Sequence, residues 1–281
     1  MERIQRALEL AHSEPWKASV RRAALDTESP HTGQSSPEER AMLRAAAQPA
    51  DQTALPSLAI DRARLRARKV VFPEDSTAAA RGYRMLRAQV LHRVRSNGLG
   101  AIGIVSSASG EGKTLTAVNL ALSLAADPNQ NVTLIDLDLR RPSVAATLGL
   151  NPPLGLDTWL TGEQPVASVH YGLEGVARLS VVPTVAPLTG ASEALAGARA
   201  RDLVETLRSM ESRRVLIVDL PPALLSDHVL TVSQLLDGFV LVVTEGQTRR
   251  DDVERVFELL GRDRIIGTVL NRSSDSEQRA Y

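Results

Sequence analysis

The chain has 281 residues, 43% hydrophobic and 23% charged, with 33 basic residues against 33 acidic ones and no cysteine. Balanced charge provides no global field for nucleic acid or anionic lipid, and the missing thiols exclude disulfide scaffolds, thiol catalysis and Cys-ligated zinc or iron–sulfur sites. No apolar run reaches the ~18–20 residues that cross a bilayer, and the charged opening Met1–Trp16 lacks an apolar signal core, so a cytoplasmic protein without a membrane span is expected.

Residues 1–75 read as an N-terminal region. A short helix-like pattern of Ile4, Leu8 and Leu10 opens it. The stretch 15–58 is rich in Ala, Arg, Ser, Pro and Gln with few large apolar residues, and is expected to be largely disordered. The run Ala63–Lys69 comes next and ends near Pro73. Between positions 54 and 100, ten Lys or Arg face three Asp or Glu, which suits a solvated helix face or a surface for an acidic partner or a neighbouring subunit. Residues 78–97 have helical spacing, with Tyr83, Leu86, Val90 and Val94 on one face and Arg81, Arg84 and Arg95 on the other.

From Ala101 the pattern changes. Short apolar runs at Ala101–Ser106, Val132–Asp136, Leu179–Pro183, Val215–Asp219, Phe239–Thr244 and Ile265–Leu270 alternate with helix candidates at 114–126, 192–211 and 249–260. The last has Val253, Val256, Phe257 and Leu260 on one face, with Thr248 as the expected N-cap and Asp251 three residues on. Continuous apolar strands between helices predict an α/β fold: a doubly wound, mostly parallel sheet with helices on both faces, over residues 76–272. A tail, 273–281, carries one tyrosine, Tyr281. Ligands in such sheets sit beyond the carboxyl ends of the strands.

The residues just past those ends carry the chemistry. After the first run comes Ser107-Ala108-Ser109-Gly110-Glu111-Gly112-Lys113-Thr114, then helix: a phosphate loop in its required context, with Ser107 in place of the first glycine. Only Lys17, Lys69 and Lys113 are lysines, so one standing here is unlike chance. Gly110 and Gly112 let backbone N–H groups turn inward as an anion nest, and Ser109 to Leu115, including Glu111, form the cradle. Lys113 would reach the terminal phosphates and Thr114 a magnesium ion. After the second run, Asp136 and Asp138 suit metal coordination and proton abstraction from a hydroxyl. Asp219-Leu220-Pro221-Pro222 ends the fourth run with the second magnesium-side acid. Asn271, after the last run, would read an adenine edge or close a turn.

Together, Ser106–Thr114, Leu134–Pro142, Val215–Pro222 and the Tyr83–Arg87 helix resemble the bacterial tyrosine kinases of capsule and exopolysaccharide biosynthesis, a branch of the MinD/ParA-like P-loop ATPases. The opening Ile4–Glu9 is similar to the exosortase-associated members. The resemblance implies ATP and Mg²⁺, and phosphoryl transfer to tail tyrosines passed between subunits of a homo-oligomeric ring. It implies a separately encoded membrane polysaccharide co-polymerase of the chain-length determinant type, which recruits the kinase to the inner membrane. Carried over by position, Lys113 holds phosphates, Thr114 and Asp219 serve magnesium, Asp136 activates the tyrosine hydroxyl and Asp138 supports the metal. Three positions depart from the family pattern. The tail has Tyr281 alone, Tyr83 and Tyr171 being structural; Arg81 stands where the interface motif begins with glutamate; and Ala108 stands where the partitioning ATPases have a lysine. A positioning ATPase and a non-catalytic nucleotide-binding regulatory subunit are the alternatives.

Overall fold

In a fully covered parallel sheet each strand must be apolar on both faces, and the apolar runs here send successive side chains to opposite sides. The computed structural model describes residues 55–162, 164–210 and 214–273. The opening helix pattern, the stretch 15–54 and the tail tyrosine Tyr281 lie outside the described residues. Strands β1 (Ser57–Leu58), β2 (Ala101–Ser106), β3 (Asn131–Asp136), β4 (Tyr171–Leu173), β5 (Val176–Val182), β6 (Arg214–Asp219), β7 (Gly238–Thr244) and β8 (Ile265–Asn271) form one sheet. Their order is β1-β4-β5-β3-β6-β2-β7-β8. Every pairing is parallel except β4 with β5.

Ile102, Ile104, Leu134, Ile217 and Val240 feed one core, and Val105, Ile135, Val218 and Leu241 feed the other. Helices α1 (Arg62–Ala67), α2 (Ala78–Asn97), α3 (Lys113–Ala125) and α4 (Val144–Leu148) contribute to the first. Helices α5 (Leu156–Thr161), α6 (Ala191–Ala196), α7 (Ala198–Ser209), α8 (His228–Ser233) and α9 (Arg250–Leu260) contribute to the second. This register fixes the site. Asp136 pairs with Asp219 across β3 and β6, two residues beyond Leu134 and Ile217. Both acids therefore share the sheet face that carries α3.

Residues 55–75, assigned from composition to the N-terminal region, pack on this domain. Leu65, Val70 and Phe72 are buried in the α3-side core, and β1 extends the sheet beside β4. Few large apolar residues suffice here because they are placed at the right spacing; burying each contributes about 1.5–3 kcal/mol. Much of the basic excess is used internally. Arg66 pairs with Asp75 at 2.8 Å, Arg62 with Glu74 at 3.0 Å, and both lie over the Phe72 ring. Arg84, placed on the outer face of α2, turns inward and donates to the carbonyls of Pro73 and Asp75 at 3.0 Å.

Two helix boundaries differ from expectation. The candidate at 192–211 is two helices, broken where Gly197 takes an extended conformation. The N-cap of α9 is Arg249, not Thr248. The Thr248 hydroxyl instead accepts from the Thr244 N–H at 2.8 Å and donates to the Glu111 carboxylate.

Candidate active site

The strand–loop–helix segment from β2 to α3 builds the centre. Gly110 and Gly112 have φ of 81° and 92°, a left-handed region open to glycine at little cost. At Gly112 a Cβ would also come within 2.1 Å of Asn271 Nδ2, so any side chain here would have to push the Asn271 amide off the Glu111 carbonyl. The loop then hands its chain to α3, whose N-terminus carries partial positive charge.

Lys113, the first residue of α3, donates from Nζ to Asp138 Oδ2 at 2.8 Å and lies 4.0 Å from Asp219 Oδ1. Thr114 donates to Asp219 Oδ2 at 2.6 Å, and its hydroxyl lies 2.9 Å from Ser143 Oγ. Asp136 accepts from the N–H groups of Ser143 and Val144 at 2.9 Å and of Asp138 at 3.2 Å. It thereby ties down the loop that carries Asp138. The structure thus brings together Lys113, Thr114, Asp136, Asp138 and Asp219, each expected from its place in the chain. Ser143 joins them without a sequence signal; nothing in its context separates it from an ordinary loop serine.

Asp136 and Asp219 are fully buried and Asp138 nearly so. Burial, then repulsion from Asp219, pushes the Asp136 carboxyl up to about 8. Burial pushes Asp219 up to about 6, opposed by the Lys113 charge and the Thr114 hydrogen bond. For Lys113, burial works against the charge, but Asp219 and Asp138 outweigh it and hold the ammonium above its ordinary range. Three acids crowd one lysine, so part of the cluster stays protonated, and a bound cation would favour the ionised carboxylates.

The donor set suits Mg²⁺. Asp219 Oδ1 is buried and has no hydrogen-bond partner among the described residues, while a hydroxyl stands beside the other oxygen of the same carboxylate. Among the described residues no group of three or more His, Cys, Asp or Glu forms an all-protein metal cage. Magnesium in a phosphate loop takes most of its ligands from nucleotide and water, so two or three protein oxygens suffice.

Asn271 donates from Nδ2 to the Glu111 carbonyl at 2.9 Å, and its Oδ1 accepts from the Arg272 N–H at 2.9 Å. One amide hydrogen is left for a base edge. Tyr171 is buried, with its hydroxyl 3.0 Å from the Leu154 carbonyl, which accounts for it as structure.

Residues 100–277 match the ParA family, described as NUBPL iron-transfer P-loop NTPases. The chain belongs to the ParA family of P-loop NTPases. The tyrosine-protein kinase CpsD of Streptococcus agalactiae is 29% identical over 62% of this chain and 75% of its own length. The tyrosine-protein kinase YwqD of Bacillus subtilis is 26% identical over 78% of this chain and 91% of its own. The crystal structure of the VpsO kinase domain superposes with a TM-score of 0.60 at 26% identity, covering 68% of this chain and 95% of that domain. The parallel-sheet P-loop architecture read from the sequence is thereby established. Among the described residues no helix is long and apolar enough to cross a membrane.

Proposed function

We propose that this ParA-family member is an ATP-dependent protein-tyrosine kinase that regulates exopolysaccharide or capsule synthesis. One observation carries the reading: Lys113, Thr114, Asp138 and Asp219 converge on one point at the mouth of the phosphate loop, with Lys113 Nζ 2.8 Å from Asp138. The similarity to proteins named tyrosine kinases supports the choice of acceptor.

In this reading the loop and the α3 N-terminus hold the ATP phosphates, and Lys113 moves from Asp138 to the terminal phosphates. Thr114 and Asp219, supported by Asp138, hold magnesium, which when bound neutralises charge on the phosphate oxygens. The tyrosine proton passes to the Asp136–Asp138 pair. The Asp138 N–H donates to Asp136 Oδ1 at 3.2 Å and links the two residues, so the role is assigned to the pair. A membrane polysaccharide co-polymerase is the activating partner and recruits the kinase to the inner membrane.

Two features favour this over other ParA-family roles. Iron–sulfur transfer wants thiolates, and the sequence has none. The positioning ATPases carry a lysine where Ala108 stands; here the Ala108 N–H is used within the loop, on Glu111 Oε2 at 2.8 Å. The test is phosphosite mapping by mass spectrometry on protein incubated with ATP and Mg²⁺, with and without the co-polymerase. Phosphotyrosine at Tyr281 that vanishes in Tyr281→Phe supports autophosphorylation. Phosphotyrosine only on an added protein would redirect the activity to another substrate. ATP turnover with no phosphotyrosine anywhere would replace the kinase reading with that of a positioning ATPase.

A further inference from the structure

Glu111 is a buried acid that the phosphoryl-transfer chemistry leaves unused. It is 4% exposed and lies within the phosphate loop, where a negative charge by itself opposes a polyphosphate. Its carboxylate is nevertheless heavily engaged. Ser107 Oγ lies 3.0 and 3.1 Å from its two oxygens, the Ala108 N–H donates to Oε2 at 2.8 Å, and the Thr248 hydroxyl donates to Oε1. The same residue is held by its backbone: its carbonyl accepts from the Thr244 hydroxyl at 3.1 Å and from Asn271 Nδ2 at 2.9 Å. The neighbouring Gly110 carbonyl accepts from Arg272 at 2.9 Å. Thr248 is itself fixed by the Thr244 N–H.

We propose that Glu111 is a positioning residue for phosphate binding. It clamps the phosphate loop to the Thr244–Thr248 turn at the end of β7 and so sets the shape of the cradle before nucleotide arrives. The inference rests on the reading of this loop as the nucleotide site. Two glycines flank Glu111, and glycine loses more conformational freedom on ordering than any other residue. A loop of that composition left free would lose affinity on every binding event; a loop already braced does not. The carboxylate is suited to the task because it accepts several donors at once, each a charge-assisted hydrogen bond.

Calorimetric titration of the full chain with Mg·ADP tests this. Glu111→Ala is expected to weaken binding at least about tenfold through loss of preorganisation, while Glu111→Gln, which keeps size and one acceptor, stays within about threefold of the parent. Thr248→Val should also weaken binding, and the double variant Glu111→Ala/Thr248→Val should be no weaker than Glu111→Ala alone by more than about twofold, because both cut one linkage. In turnover, Glu111→Ala should raise the KM for ATP more than it lowers kcat. The proposal is overturned if Glu111→Ala binds within about twofold of the parent, if Glu111→Gln and Glu111→Ala both bind more tightly, as simple charge repulsion requires, or if the two substitutions are additive. Should Glu111→Ala fail to fold, Thr248→Val against Glu111→Gln carries the same comparison: loss in the first with retention in the second supports the clamp, and equal affinities overturn it. A parent protein that does not bind Mg·ADP would refute the nucleotide reading itself, which is a different result.

Discussion

Lys113 is the residue on which opposing forces meet most directly. Burial works against its charge, and two acids hold that charge in place. Replacing it removes a preorganised positive charge from the point where negative charge concentrates in phosphoryl transfer. Lys113→Ala should therefore lower kcat for ATP-dependent labelling by about 10²–10³ or more, measured on protein shown to be folded by circular dichroism. A loss under about fivefold would remove Lys113 from the machinery. Gly112 makes a second, steric prediction. A methyl group there meets Asn271 and must adopt a φ of 92°, so Gly112→Ala should abolish measurable Mg·ADP binding; retained affinity would mean that the loop shifts freely.

At the scale of elements, much is legible in the sequence because continuous apolar runs and a Gly-Lys-Thr turn carry strong local signals. Asp136 and Asp219 stand out as the acids that close two of those runs, and the parallel register brings them side by side. Strands β1 and β4 leave no such trace, since two or three residues cannot display a period. The Glu111–Thr248 link is equally silent, because it joins residues 137 positions apart through side chains alone. Composition places residues 55–75 in the N-terminal region, yet Leu65, Val70 and Phe72 are buried in the core, with Leu58 and Ile60 packed against it. Their test is Phe72→Ala, expected to cost about 3–5 kcal/mol in denaturant unfolding, as for a buried aromatic; a change below about 0.5 kcal/mol would mean the segment is dispensable.

The joint of β4 and β5 adds a pH dependence. His170 is buried with Nε2 2.7 Å from Ser180 Oγ; burial, then the Arg214 charge, pushes its pKa down to about 4. The unfolded imidazole takes a proton below about 6.5, the folded one only near 4, so stability is lost as pH falls across that window. The full effect is at most about 3 kcal/mol. His170→Gln should lose less Tm than the parent between pH 7 and pH 5. Equal losses would show that His170 is not held neutral.

Across the whole molecule, the basic residues divide by chemistry. Arginines staple the fold by donating to carbonyls: Arg68 to Ala146, Arg87 to Ser123, Arg178 to Ala125 and Arg264 to both Ser233 and Leu236. A forked, permanently charged donor suits that work, whereas a compact ammonium suits a phosphate. The chain uses lysine three times and places one of them where strands, loop and acids converge. The most direct test traces the γ-phosphate of labelled ATP in a single turnover of the parent and of Lys113→Ala, in the presence of Mg²⁺ and the membrane co-polymerase. The account predicts label on protein tyrosine in the parent and none in the variant. Label recovered solely as inorganic phosphate from the parent would contradict it.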